Sequence, residues 1–262
     1  MSLSTNNPYE HDIYTVKQLG AHTVKIAYCS TVRKPGWEVE NPTYVPKGSI
    51  NSEKLENNLS RAKNTVKEYA LCNDWDFWCT FTIDPHKHDR YNLDGFMKHF
   101  AKFINNYNYR NCKGCPEYKV KYVLVPEQHK DSAWHVHGFI KGIKPSDLYT
   151  NKHGYLTWTQ YEQNFGYISM EKVKDIDKAS SYILKYMTKD TDKNVSDMHR
   201  HLYYASQGLS KASVLYKGHA RFKGEWDWEH PDGFCKIKQF DSRENNIQDY
   251  MEIEKHGYND GI

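Results

Sequence analysis

Two histidines separated by one residue are the clearest candidates for chemistry in this sequence. His135-Val136-His137 lies in an apolar and aromatic run that predicts a strand. Side chains alternate between the two faces of a strand, so His135 and His137 project from one face and Val136 from the other. Two neutral imidazoles on one face supply half of the ligands of a metal site. Taken alone, the pair is explained as simply by two surface histidines.

A carboxylate precedes the pair at a spacing that a β-hairpin brings alongside it. Glu127 ends the preceding predicted strand, eight residues before His135. Antiparallel pairing of the two strands places Glu127 beside the histidines. Two imidazoles and one carboxylate leave coordination positions open, which suits a metal that acts on a substrate. Gln128 and His129 are alternative third ligands.

Tyrosine and lysine recur at helical spacing farther along the chain. Tyr182 and Tyr186 are four residues apart, and Lys185 and Lys189 each follow a tyrosine by three. This spacing places both tyrosines near one face of a helix. A tyrosine hydroxyl has a pKa of about 10 and is a weak nucleophile at neutral pH, but a nearby metal and a lysine offset this weakness. Packing of an amphipathic helix explains the same pattern without catalysis.

The elements that must position these residues are an alternation of strands and helices. The periodicity predicts helices over Ser52–Leu71, Leu93–Asn106 and Ile176–Lys189, and strands over Trp75–Asp84, Tyr118–Pro126, Trp134–Lys141 and Tyr167–Val173. This order predicts an α+β fold, an antiparallel sheet with helices packed on it.

The ends of the chain are predicted to differ from its middle. Residues 1–50 are expected to form an irregular N-terminal arm with one short strand over His22–Cys29. Residues 51–215 are expected to form the main domain, and residues 216–262 a C-terminal extension of loops and short strands with an acidic tail.

Composition narrows the class of protein. The 262 residues include 21 tyrosines, an aromatic content that argues against disorder without separating a carbohydrate binder from a nucleic-acid binder. Residues 241–262 carry a net charge of −4, which leaves +7 on residues 1–240 and favours a phosphate-rich partner. Neither a membrane span nor a secretory signal is predicted, so a cytoplasmic protein is expected. In such a chain the six cysteines, including Cys112-x-x-Cys115, are expected to be free thiols rather than disulfides or a zinc site.

The ordered set of motifs resembles the HUH endonucleases, most closely the rolling-circle replication initiators of phages and plasmids from Gram-positive hosts. The first family motif, an apolar strand with Thr-x-Thr, is similar to Trp78–Asp84. The second, His-hydrophobe-His, is similar to His135–His137. The third, Tyr-x-x-Lys on a helix, is matched by Tyr182 to Lys185 and again by Tyr186 to Lys189.

The resemblance implies an RRM-like antiparallel sheet with helices on one face, as a nicking domain over residues 51–215. His135, His137 and Glu127 would hold Mg²⁺ or Mn²⁺ against the scissile phosphate of single-stranded origin DNA. A tyrosine would attack, leaving a 5′-phosphotyrosine and a free 3′-hydroxyl that primes replication with a host helicase and polymerase.

The nucleophile and the exact class stay open at this point. Tyr182 ranks first with Lys185 as its helper, and Tyr186 is a second candidate or the partner in a two-tyrosine mechanism. A relaxase, a transposase of the same superfamily and a catalytically inactive DNA-binding regulator are the alternatives. The sequence does not identify the oligomeric state or the DNA-binding residues. Side chains that could stack on bases or bind the backbone are Trp75, Trp78, Trp134, Arg200, Tyr203 and Tyr204.

Overall fold

The structure is a computed structural model that describes residues 8–34, 36, 52–189 and 201–253. It divides into two compact units, one formed by Gly48–Ser210 and the other by Met1–Lys47 together with Lys211–Ile262. Within the described ranges, the elements in chain order are β1 (Tyr9–Leu19), β2 (Thr23–Arg33), α1 (Ser52–Leu71), β3 (Phe77–Thr82), α2 (Leu93–Asn111), β4 (Lys121–Gln128), β5 (Trp134–Lys141), β6 (Leu148–Thr150), β7 (Leu156–Trp158), α3 (Thr159–Asn164), β8 (Ile168–Lys172), α4 (Ile176–Lys189), β9 (Tyr204–Ala205), β10 (Ser213–Gly218), β11 (Ala220–Phe222), β12 (Trp228–Glu229), β13 (Cys235–Asp241), α5 (Ile247–Tyr250) and β14 (Met251–Ile253). None of the helices in these ranges is long and apolar enough to cross a membrane.

The unit formed by Gly48–Ser210 is built on an antiparallel sheet. Its strand order is β6-β7-β8-β3-β5-β4-β9, and all of its paired strands are antiparallel. The α+β class predicted from the sequence is therefore confirmed, and the predicted helices and strands of this unit are present. The sheet centres on β3, β5 and β4, the strands that carry the first two motifs.

Helices cover both faces of this sheet, so the expected arrangement with helices on one face is wrong. Leu124, Val136 and Ile140 pack in one core cluster with α2 and α3, whereas Val123 and Phe139 pack in a second with α1 and α4. Consecutive apolar residues in a strand point to opposite faces, so both faces need a cover. The face packed against α1 and α4 is called the α4 face below.

The second unit corrects the prediction of an irregular N-terminal arm. Its sheet has the strand order β10-β1-β2-β13-β12, so the described part of that arm is a β-hairpin that pairs with strands from the C-terminal residues. The predicted strand His22–Cys29 overlaps β2. The apolar positions Val16, Val24 and Ile26 are buried together with Phe240 and Met251. Polar residues between them made the alternation look irregular in the sequence, although period-two alternation is typical of a strand with one covered face.

Candidate active site

The hairpin of β4 and β5 brings the predicted metal ligands together. Glu127 lies directly opposite His135 in the antiparallel register, and Val125 lies opposite His137. Because 127, 135 and 137 share the parity of Val123 and Phe139, all three side chains project from the α4 face. The sequence-predicted neighbourhood of Glu127 and the histidine pair is therefore what the structure shows.

Gly138 permits this close pairing. A Cβ atom at Gly138 would lie 2.1 Å from the backbone oxygen of Val123 and 2.9 Å from the Cα of Leu124. Any larger residue directly after His137 would push β4 and β5 apart. The glycine that follows the histidine motif thus has a packing reason of its own.

Both ring nitrogens of His137 have polar partners. Its Nε2 is 2.8 Å from Oε2 of Glu127, and its Nδ1 is 3.1 Å from Oγ1 of Thr80. Thr80 is the residue opposite His137 in the pairing of β3 with β5. Burial lowers the pKa of His137 to about 4, although the Glu127 carboxylate opposes this shift. The imidazole is therefore neutral at neutral pH, and its orientation is fixed from two sides.

His135 is held by stacking rather than by a carboxylate contact. The rings of His129 and His135 lie 3.8 Å apart at 26°. Burial, and then the neighbouring His129, lower the pKa of His135. The centroids of the His135 and His137 rings are 6.4 Å apart. Both imidazoles of the motif are thus neutral bases on the same face.

Helix α4 brings the two tyrosines onto the histidine face. The ring of Tyr186 stacks on His137 with 4.0 Å between centroids and 18° between planes. The Tyr186 hydroxyl donates a hydrogen bond of 2.7 Å to the Tyr182 hydroxyl oxygen. Burial, and then the contact with Tyr182, raise the pKa of Tyr186. Tyr186 is only 9% exposed, whereas Tyr182 is 44% exposed.

Trp78 and Lys185 complete the surroundings of Tyr182. The Trp78 ring lies 5.5 Å from the ring of Tyr182 and 6.1 Å from that of Tyr186. Nζ of Lys185 is 5.4 Å from the centroid of Tyr182. These three side chains line an open groove of 1210 Å³ whose walls also contain Lys172, Lys174 and Lys178 and the acidic Glu171, Asp175 and Asp177. A strand of nucleic acid can therefore reach the Tyr182 hydroxyl from solvent.

The donor set on this face fits a divalent cation in its chemistry. Across the parts of the chain that the structure describes, no three His, Cys, Asp or Glu side chains already form a closed metal cluster. However, neutral His135, neutral His137 and Glu127 supply two nitrogens and one oxygen. Adjacent ligands around an octahedral cation at about 2.1 Å lie about 3 Å apart. The 2.8 Å between His137 Nε2 and Glu127 Oε2 agrees with that spacing.

Sequence reasoning missed three contributors to the site. Thr80 contacts His137, His129 stacks on His135, and Trp78 contacts both tyrosines. His129 had been considered only as an alternative ligand, and Trp78 only as a base-stacking candidate. The Thr-x-Thr pattern held the signal for Thr80, but its role depends on the strand register. Lys189 has no described side chain, and Arg200 lies outside the described residues.

The remaining aromatic candidates for DNA stacking are less accessible. Trp75 and Trp134 are 8% and 4% exposed, so both belong to the core. Tyr203 and Tyr204 are partly buried against the two core clusters. Of these aromatic residues, Trp78 alone lines the groove at Tyr182.

Comparison with known families gives one match. Residues 76–191 match the family model of the ORF2 type of replication-associated protein. This segment spans less than half of the chain and contains Glu127, the histidine pair and both tyrosines. Neither the curated proteins nor the solved structures gave a match. The match is consistent with a rolling-circle replication protein.

Proposed function

We propose that this chain nicks and rejoins single-stranded DNA in a metal-dependent reaction that initiates rolling-circle replication. The observation that carries the proposal is the meeting of α4 with β5, where Tyr186 links the Tyr182 hydroxyl to His137 and Glu127. The family match over residues 76–191 supports the role in replication.

Tyr182 is the proposed nucleophile. Its side chain is 44% exposed and lines the groove, whereas Tyr186 is 9% exposed and directs its hydroxyl hydrogen at Tyr182. A phosphodiester of single-stranded DNA can approach an exposed hydroxyl without any rearrangement of the core. Lys185 is placed to attract the phosphate and to favour the phenolate form of Tyr182.

The reaction conserves atoms and charge in each direction. The Tyr182 oxygen attacks phosphorus, its proton passes to water, and the bond from phosphorus to the 3′ oxygen breaks. The leaving 3′ oxygen takes a proton from water, so the products are a 5′-phosphotyrosine and a free 3′-hydroxyl. Attack of a 3′-hydroxyl on the phosphotyrosine reverses the step and closes a strand. The free 3′-hydroxyl would serve a host polymerase, with a host helicase separating the strands.

The residues of the metal set have separate tasks in this scheme. A Mg²⁺ or Mn²⁺ ion bound by His135, His137 and Glu127 would act as a Lewis acid on the scissile phosphate. Thr80 and Glu127 hold the His137 ring from opposite sides, and His129 supports His135. Groups that orient a ligand in this way commonly affect metal affinity as strongly as they affect geometry.

A covalent-adduct assay tests the proposal. The full chain is incubated with Mn²⁺ and a labelled library of single-stranded oligonucleotides, and adducts are resolved by denaturing electrophoresis and peptide mass spectrometry. We expect an adduct on Tyr182 that disappears with EDTA and in Tyr182→Phe. Tyr155→Phe, an exposed tyrosine outside the site, is the matched control and is expected to leave the adduct intact.

Other outcomes would reject the assignment. An adduct that persists in the double variant Tyr182→Phe, Tyr186→Phe would exclude tyrosine chemistry at α4. Full activity after chelation would exclude the metal. Tight DNA binding by the wild-type protein with no cleavage in Mg²⁺ or Mn²⁺ would identify an inactive DNA-binding regulator instead.

A further inference from the structure

The hydrogen bond between the two tyrosines has a defined direction, and this direction separates their roles. The Tyr186 hydroxyl donates and the Tyr182 oxygen accepts, at 2.7 Å. A phenol that directs its hydrogen at a neighbouring oxygen stabilises negative charge on that oxygen. Tyr186 is therefore arranged to serve the oxygen of Tyr182.

Packing restricts Tyr186 and leaves Tyr182 accessible. One side of the Tyr186 ring is stacked on His137, and Trp78 lies 6.1 Å away. A phosphodiester could reach the Tyr186 oxygen only after this packing was disrupted. Tyr182 packs edge-on against Trp78 and remains 44% exposed.

We infer that Tyr186 is a positioning residue that donates a hydrogen bond to the sole nucleophile, Tyr182, and does not form a phosphotyrosine itself. This inference rests on the proposed nicking function. The donated hydrogen bond stabilises the Tyr182 phenolate before attack on phosphorus. It stabilises the same phenolate as the leaving group when a 3′-hydroxyl attacks the phosphotyrosine. Loss of the hydroxyl therefore slows cleavage and rejoining alike.

Single-turnover kinetics of Tyr186→Phe test this role, because the variant keeps the ring and its stacking. With an oligonucleotide that the wild-type protein cleaves, we expect both rate constants to fall roughly 10- to 100-fold, as for a lost hydrogen bond to a charged oxygen. DNA affinity, the fraction of adduct at equilibrium and the thermal unfolding midpoint should stay close to the wild-type values. A purely structural role would instead change the unfolding midpoint or the affinity.

Three results would overturn the inference. They are an adduct on Tyr186 in the wild-type protein, unchanged rates in Tyr186→Phe, and normal cleavage with loss of only the second strand transfer. The last result is the signature of two alternating nucleophiles. Absence of any adduct in the wild-type protein would reject the nicking function itself, so the two failures are distinguishable.

A second inference concerns a pair of cysteines in the unit formed by the two chain ends. Cys29 on β2 and Cys235 on β13 are directly opposite in the antiparallel register, with 4.0 Å between their sulfur atoms. The adjacent Ser30 donates its backbone N–H to Phe234, which makes the cysteines a pair without backbone hydrogen bonds between them. Side chains approach most closely at such positions. All six cysteines are free thiols in the structure.

We propose that Cys29 and Cys235 form a reversible disulfide with a small disulfide oxidant such as oxidised glutathione. One cysteine thiolate attacks the oxidant and releases one glutathione thiolate. The other cysteine then attacks the mixed disulfide and releases the second. Two electrons pass from the cysteines to the oxidant, and a bond forms between residues 206 positions apart in the chain. Burial raises the pKa of Cys235 to about 11, so the reaction is faster in mild alkali.

Thiol counting after oxidation tests the second proposal. Alkylation in denaturant is expected to modify all six cysteines of the reduced protein and to spare only Cys29 and Cys235 after oxidation. Peptide mapping should find these two residues linked, and oxidation should raise the midpoint of urea unfolding. Cys72→Ser is expected to keep the linkage, whereas Cys29→Ser loses it and the rise in midpoint. Full alkylation after oxidation, or linkage of other cysteines, would refute the proposal.

Discussion

The ring of Tyr186 lies nearly parallel to the imidazole of His137, with 4.0 Å between their centroids. This contact is the direct connection between α4, which carries the tyrosines, and β5, which carries the histidines. Because Tyr186 is 9% exposed, its ring also belongs to the core formed by α1, α4 and the α4 face of the sheet. One side chain thus contributes to the stability of the fold and to the position of the Tyr182 hydroxyl.

Replacing the Tyr186 ring is therefore expected to destabilise the protein more than removing its hydroxyl. Tyr186→Leu loses the stacking on His137 and part of the buried surface, which should lower the free energy of unfolding by about 1 to 3 kcal/mol. Tyr186→Phe keeps both and should cost less. Urea unfolding of the two variants makes the comparison. Equal losses in both variants would show that the stacking contributes nothing measurable.

Local periodicity was sufficient to predict the elements that carry the site. The alternation at His135-Val136-His137 and the helical spacing of Tyr182 and Tyr186 each depend on neighbouring residues. The contacts of Thr80 and the burial of Tyr186 depend instead on strand register and on the rotation of α4 about its axis. The pairing of β2 with β13 joins distant segments with mixed polar sequences, so no local pattern indicated it.

Removing the Thr80 hydroxyl should weaken metal binding. The Thr80 Oγ1 atom is 3.1 Å from His137 Nδ1, and without it the imidazole loses one of its two polar contacts. Thr80→Val keeps the shape of the side chain, so we expect a metal affinity roughly 10- to 100-fold lower with little change in fold. Mn²⁺ titration by calorimetry measures the effect. Thr65→Val, on the surface of α1, is the control and should bind Mn²⁺ as the wild-type protein does.

The stability of the metal-free protein should fall in mild acid. Burial lowers the pKa of His137 from 6.5 to about 4, so the unfolded chain takes up a proton at a higher pH than the folded chain does. The stability is fully present above pH 6.5 and is lost progressively as the pH falls toward about 4. Urea unfolding across this range should show the decline.

Substitution of His137 separates this contribution from the other histidines. In His137→Gln the decline between pH 6.5 and about 4 should be smaller than in the wild-type protein. His153→Gln, in an exposed turn, should decline as steeply as the wild-type protein. Parallel curves for wild type and His137→Gln would contradict the assignment of the titration to His137.

Lys185 should affect the chemical step more than DNA binding. Its Nζ lies 5.4 Å from the Tyr182 ring centroid, close enough to favour a phenolate and an incoming phosphate. Lys185→Gln is expected to slow adduct formation at saturating DNA by roughly 10- to 100-fold, and Lys185→Arg to retain part of the rate. Lys178→Gln removes the same charge from α4, but Lys178 is 88% exposed and pairs with Asp175. Its adduct rate should therefore stay near the wild-type value. Equal losses of affinity in both glutamine variants, with unchanged rates at saturation, would show that Lys185 contributes only general attraction for DNA.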